Sequence, residues 1–232
     1  MSVIFECRNL VKSYGNVTAL GGINLSLESG RIVGLLGPNG SGKTTMIKLA
    51  CRLLQPTSGE ILIGGEAPGV GSKSMVAYLP DKDFLPDWMR TKGLLDFYQD
   101  FFPDLDRQRA EEMLESLDIP QNMSLKKMSK GTKEKVQLIL TMSRRASVYL
   151  LDEPIAGVDP AARDYILRTI INNYEENALV IISTHLIADV ESVLDEAVFL
   201  KKGQIVLHKG VDEVREETGK SVDEYFREVF RC

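Results

Sequence analysis

Cysteine is scarce in this chain. Its 232 residues hold three, Cys7, Cys51 and Cys232, an odd number at wide spacing. No disulfide framework or cysteine zinc pattern follows from that. A reducing compartment, the cytoplasm, is the expectation. Long apolar runs are missing as well. None approaches the ~18 residues that a membrane-spanning helix needs. The opening "MSVIFECRNLVKSYG" lacks the basic-then-apolar order of a secretory signal. If the protein serves a membrane process, another chain must do the spanning. Net positive charge is also lacking. Lys and Arg total 28 against 33 Asp and Glu, a formal charge of −5. The resulting pI near 5.3 argues against nucleic-acid binding by bulk charge, so no nucleic-acid partner is expected. One local basic cluster stands out: Lys126, Lys127, Lys130, Lys133 and Lys135.

What remains is ordinary, with 44% hydrophobic and 26% charged residues and length enough for a real core. Residues 3–30 alternate apolar and polar around glycines and read as short antiparallel strands. "RIVGLL" (31–36), "SVYLLDEP" (147–154) and "ALVIIST" (178–184) read as buried strands, with helical patterns between them. That alternation implies a parallel sheet. From Asp83 to about Lys127 the periodicity is helical and prolines at 86, 103 and 120 bracket it. The expectation is an α/β fold: a core with a parallel sheet, an N-terminal antiparallel β subdomain and an inserted helical subdomain. The core lobe takes about 1–82 and 134–232, the helical lobe about 83–133.

"GPNGSGKT" (37–44) has the P-loop spacing, between a strand and a helix. Gly37, Pro38, Asn39, Gly40, Ser41, Gly42, Lys43, Thr44 and Thr45 are the candidate triphosphate cradle. Glycines let backbone N–H groups curl around phosphate. The helix start adds partial positive charge. Lys43 is placed for the terminal phosphates and the Thr44 hydroxyl for Mg²⁺. At the end of "VYLLDEP", Asp152 has the position of a second Mg²⁺ ligand, and Glu153 that of a base for the attacking water. The core is therefore expected to be that of a P-loop NTPase, and the cofactors expected from these motifs are a nucleoside triphosphate and Mg²⁺; the resemblance given next makes the nucleotide ATP. A GTPase base-reading motif is missing, since "TKEK" has no aspartate. The lid and acceptor site of a small-molecule kinase are not identifiable.

The order of these motifs resembles the ATP-binding subunits of ABC transporters over nearly the whole chain. Within that family the run from Met128 to Leu167 is similar to the bacterial Ytr-type branch, linked with acetoin utilisation and cell-wall antibiotics. The resemblance implies further roles. Tyr14 in "SYG" corresponds to the aromatic that stacks on adenine. "MSKGTKEK" stands where the family has its signature, with Ser129 and Gly131 for phosphate contacts. Asp159 corresponds to the D-loop aspartate and His185 to the γ-phosphate histidine. His208 is read as a surface strand residue. The resemblance also implies a head-to-tail dimer with ATP between a P-loop and the partner's signature, compatible with a homodimer or a heterodimer. A separate transmembrane permease subunit is the other partner expected, with this chain peripheral on the inner face of the cell membrane.

Two departures from the family pattern matter. Lys130 and Thr132 replace a glycine and a glutamine of the signature. Asp81 replaces the glutamine that senses Mg²⁺ and water; an ionised aspartate can ligate Mg²⁺ but cannot donate a hydrogen bond. In "DFLPDWMR", Phe84, Leu85, Trp88 and Met89 either cap the helical lobe or form a patch for the membrane partner. The rival function is a non-transport ABC ATPase acting on a ribosome, DNA or another soluble partner. The ~90 residues between P-loop and signature hold no sustained heptads, which disfavours the coiled-coil types.

Overall fold

The computed structural model describes residues 2–230; Met1, Arg231 and Cys232 lie outside that range. Two 12-residue strands open the chain, β1 (Val3–Tyr14) and β2 (Val17–Glu28). They are longer than the short strands expected, because each bends through register shifts instead of breaking. β3 (Ile32–Leu36) follows, then helix α1 (Lys43–Ala50) and β4 (Ser58–Ile63). A short helix α2 (Val70–Met75) leads into β5 (Val76–Leu79). Helices α3 (Thr91–Phe101), α4 (Arg107–Glu115) and α5 (Lys130–Met142) come next. Then strand and helix alternate: β6 (Val148–Asp152), α6 (Pro160–Asn173), β7 (Leu179–Thr184) and the short α7 (Ile187–Val190). The hairpin β8 (Glu196–Lys201) and β9 (Gln204–Gly210) precedes α8 (Val211–Thr218) and α9 (Val222–Val229).

Two sheets result. The smaller is antiparallel in the order β2-β1-β4; the larger runs β5-β6-β7-β3-β8-β9. Strands β5, β6, β7, β3 and β8 are parallel, and β9 closes the edge antiparallel to β8. β3, β6 and β7 are buried along their whole length, as apolar runs without alternation require. β9 alternates between exposed and half-buried positions, as an edge strand does.

The chain folds around three apolar clusters. Phe5, Leu10 and Leu20 of the small sheet meet Val33, Leu35, Met46 and Ile47, so α1 lies between the two sheets. The opposite face of the large sheet packs against α5, α6 and the C-terminal helices. A third cluster joins Leu94, Leu95, Ala110, Leu114 and Leu125 to Val136, Ile139 and Leu140 of α5. Burying each of those leucines contributes about 1.5–3 kcal/mol. α5 therefore packs both ways, with Leu138 and Met142 turned to the sheet. The lobe boundary expected at 133/134 falls inside this continuous helix.

Candidate functional site

The loops after β3, β6 and β7 and the segment after β5 all leave the parallel sheet at its carboxyl edge. That edge is where α/β folds of this kind assemble ligand sites. The loop after β3 folds back tightly. A Cβ on Gly37 would sit 2.4 Å from the Leu200 carbonyl oxygen and 2.6 Å from Ser41 Oγ, so only glycine fits. Gly42 has φ +115°, a backbone conformation that side-chained residues avoid. This turn places the start of α1 under the loop. Among the described residues no acceptor in the chain meets the amides of Gly40, Gly42, Lys43 or Thr44. Those N–H groups and the helix start favour an anion. Pro38, Asn39 and Gly40 are exposed, Thr44 and Thr45 half-buried.

Lys43 is only 5% exposed. Its Nζ donates to the carbonyls of Gly37 (2.7 Å) and Pro38 (3.3 Å). It also pairs with Glu153 Oε1 at 3.2 Å. That carboxylate oxygen is buried and accepts no well-aligned hydrogen bond. The other oxygen, Oε2, lies 3.0 Å from His185 Nδ1. So Lys43, Glu153 and His185, far apart in sequence, meet at one point. Glu153 is held there with φ +51°, a left-handed backbone that costs about 1–2 kcal/mol for such a residue. Its amide donates to Ser183 O at 2.9 Å, which fixes the turn.

Asp152 is fully buried at the end of β6. Its Oδ1 accepts from Ser183 Oγ (2.5 Å) and Thr44 Oγ1 (3.1 Å). Its Oδ2 is buried with no partner among the described residues, and so is Ser41 Oγ. An orphaned carboxylate oxygen is costly. Burial holds the Asp152 carboxyl above its ordinary range, and the charges of Asp81 and Glu153 push the same way. A free carboxylate oxygen beside a threonine hydroxyl is the donor set a hard divalent cation takes. The residues present therefore fit Mg²⁺. Asp81 sits in the loop after β5, near enough to act on Asp152 electrostatically.

The remaining expected site residues lie further out. Tyr14 ends β1 and is 47% exposed, with the Lys12 ammonium 5.1 Å from its ring centre. Ser129 caps α5: its Oγ accepts from the Thr132 amide at 3.1 Å and lies 2.8 Å from Thr132 Oγ1. Asp159 caps α6 by accepting from the Ala162 amide at 3.0 Å. Ser129, Gly131 and Asp159 line one cavity of about 470 Å³ with Lys130, Glu134 and Gly157. Among the described residues no hydrogen bond or ion pair joins Ser129 or Gly131 to the loop of residues 37–45.

The family model described as ABC transporter matches residues 20–156, more than half of the chain. The chain belongs to the ABC transporter family. It is the ATP-binding subunit of such a transporter, and an ATPase. The ABC transporter ATP-binding protein YtrB of Bacillus subtilis (strain 168) is 31% identical over 92% of this chain and 74% of that protein. The SkfA peptide export ATP-binding protein SkfE of the same organism is 28% identical over 98% of this chain and 96% of that protein. A solved ATP-binding subunit of an ABC transporter superposes with TM-score 0.89 at 26% identity, covering 98% of this chain and 100% of that one.

Two features of this ATPase escaped the sequence. Ser183 holds both Asp152 and the Glu153 backbone. Its signal was its place at the end of a buried strand, two residues before His185. The second feature is a groove of about 570 Å³ away from the triphosphate loop. Leu53, Val76, Tyr78, Phe84, Tyr98 and Phe102 supply its apolar lining. Arg144 props one wall, bonding Asp104 and the Val76 carbonyl while stacking 4.1 Å from the Phe102 ring centre. Burial pushes the Cys51 thiol on this groove up to about 12, which leaves it inert. "DFLPDWMR" divides: Leu85 and Met89 join the helical cluster, while Phe84 is 41% and Trp88 79% exposed. His208 lies on β9, 2.8 Å from Glu196, as a surface strand residue.

Proposed function

We propose that this ATPase works as a head-to-tail pair that binds two ATP molecules between its chains and drives a separate membrane subunit. Gly131 carries the reading. It lies in a helix with an ordinary backbone, and a Cβ added there would meet nothing within 4 Å among the described residues, none of which calls for a glycine. Glycine in a helix costs about 1 kcal/mol relative to alanine. A surface that must approach Gly131 closely from outside the chain explains it. The γ-phosphate held by a second chain's Lys43 is that surface, with the Ser129 hydroxyl beside it.

Within one site the roles divide by geometry. Tyr14 stacks on adenine. The amides of residues 37–45 and the Lys43 ammonium hold the phosphates. Thr44, Asp152 and Asp81 hold Mg²⁺, which when bound neutralises triphosphate charge. Glu153 orients and deprotonates the attacking water, and His185 steadies the γ-phosphate as charge redistributes. Asp159 positions the turn between the two nucleotide sites. Lys43 must exchange Glu153 for phosphate when ATP enters, and this frees Glu153 for water. ATP binding closes the pair; hydrolysis and phosphate release open it.

No helix among the described residues is long and apolar enough to cross a membrane. In this reading the spanning subunit is another chain. It docks on the 570 Å³ groove, beside the exposed Phe84 and Trp88. The chain is then peripheral on the cytoplasmic face. A pull-down of the tagged protein from membranes should recover one spanning subunit, and Trp88→Ala should weaken that recovery. Recovery on ribosomes or DNA instead would overturn the transport role.

A further inference from the structure

The basic residues near the start of α5 are not equivalent. The Lys130 side chain is 82% exposed and pairs with Glu134, one turn on, at 3.6 Å. Lys133 is 15% exposed and is committed inside the chain. Its ammonium pairs with Asp83 at 3.4 Å and makes a short contact with Asp87. Both aspartates belong to the segment between β5 and α3. One turn further on, Gln137 Nε2 donates to the Lys82 carbonyl at 3.4 Å. Leu85 anchors the same segment in the helical cluster, and Leu125 N donates to the Met89 carbonyl at 3.0 Å.

Residues 81–89 thus form a strap laid across the first two turns of α5. The strap is a shared wall. On one side Asp81, Lys82, Asp83 and Phe84 line the large groove. On the other, Asp81, Lys82 and Asp83 line a cavity of about 240 Å³ with Glu134, Gln137 and Glu153. At its start, Asp81 acts on the Asp152 carboxyl. The Lys133 amide donates to the Ser129 carbonyl at 3.1 Å, so the lysine is one turn from Ser129 and two residues from Gly131.

We propose that Lys133 is a positioning residue that clamps the strap to α5, so that the Mg²⁺ side of one nucleotide site and the Ser129–Gly131 surface of the same chain move as one body. A change at Asp81 on ATP binding is carried through Asp83 and Asp87 to Lys133 and so to the helix start. A change imposed on Phe84 from the groove travels the same way. Two ion pairs that converge on one lysine, whose side chain is 15% exposed, fix this better than a single exposed pair, which contributes little. The part concerning dimer closure rests on the reading that Ser129 and Gly131 contact a second chain's nucleotide.

Trp88 is the sole tryptophan of the sequence and sits in the strap beside Asp87. Its emission reports the strap directly. The full chain in the Glu153→Gln background is titrated with Mg-ATP, alone and as Lys133→Met and Lys133→Arg variants. Trp88 emission, calorimetric ATP affinity and dimer formation by light scattering are followed. The parent and Lys133→Arg should show a Trp88 change at the ATP-binding midpoint. Lys133→Met keeps the stem and loses the charge. It should bind ATP with unchanged affinity, lose most of the Trp88 change, and need about tenfold more ATP to dimerise. A Trp88 response and dimerisation equal to the parent's in Lys133→Met would overturn the clamp. So would a parent whose Trp88 stays silent, or a loss of ATP affinity in Lys133→Met that follows its thermal stability. A Lys133-dependent Trp88 response without any dimer would keep the clamp and overturn the two-chain reading instead.

Discussion

Glu153→Gln separates two jobs proposed for one carboxylate, restraining Lys43 and activating water. The change keeps volume and removes charge. Glu153 lies 3.2 Å from the Lys43 ammonium, and the two side chains are 12% and 5% exposed. At an effective dielectric of about 20, a pair at that distance attracts by roughly 5 kcal/mol before desolvation is counted. Desolvation offsets much of this. ATP must break the pair, because its phosphates need Lys43. A net resistance of about 1–2 kcal/mol to nucleotide entry is therefore expected, and the neutral amide removes it. The variant should bind ATP about 5–30-fold more tightly. Hydrolysis should fall about 10²–10³-fold, since the group that accepts the proton from water is gone. Isothermal titration gives the first quantity and phosphate release the second. Bound ATP that is not consumed should also accumulate the dimer in size-exclusion chromatography. Weaker ATP binding would refute the restraint on Lys43, and wild-type turnover would refute the role of Glu153.

Two further variants test neighbouring groups. Asp152→Asn should raise the Tm, because the ionised carboxylate is held above its ordinary pKa by burial. The sign is that of a raised acid: its ionised form opposes folding above the unfolded pKa, and an amide that still accepts from Ser183 and Thr44 does not. The same change should abolish Mg²⁺-dependent hydrolysis; calorimetric melting and an Mg²⁺ titration of activity measure the two effects, and a drop in Tm would contradict the reasoning. Gly131→Ala should leave stability unchanged or raise it by up to about 1 kcal/mol, since nothing in the chain crowds the new methyl. ATP-dependent dimerisation should fall sharply, and dimerisation as tight as the parent's would show that no second surface approaches there.

The parallel core was legible because its strands are buried on both faces, so β3, β6 and β7 stand out as unbroken apolar runs. The residues proposed for the site stand out in the sequence for a related reason. Gly37, Asp152, Glu153 and His185 each sit at or just past the end of such a run, where a polar residue or a glycine is conspicuous, and Lys43 and Thr44 open the helix that follows the first of them. α2 and α8 were not legible. Six and eight residues long, they bury only Ser72 in one case and Val211 and Val214 in the other, too few contacts to imprint a period. The groove was invisible for another reason. Its lining comes from α1, α2, β5, α3, α5 and the segments that join them, each contributing a few residues whose local pattern serves its own element.

The signature region shows most plainly what position in sequence leaves open. Five lysines at 126–135 look alike as a charge cluster, and solvation accounts for all of them equally well. Folding makes them differ. Lys133 is drawn under the 81–89 strap by two carboxylates, Lys135 lies 5.5 Å from the Tyr165 ring centre, and Lys130 is left projecting with one weak neighbour. Ser129 is different again, because its hydroxyl already satisfies the Thr132 amide within its own helix start. A cap of that kind contributes about 1 kcal/mol, and an oxygen has lone pairs and a proton to spare for a second contact. The local cap and the proposed contact to another chain's phosphate therefore do not compete. The cap orders the helix start in the single chain, and an ordered start is what an incoming phosphate needs in order to find its amides already aimed. The residues that depart from the family pattern, Lys130 and Thr132, fit the same view. Thr132 lends its amide and hydroxyl to that cap, and Lys130 adds its charge at the rim without entering the chain's own packing.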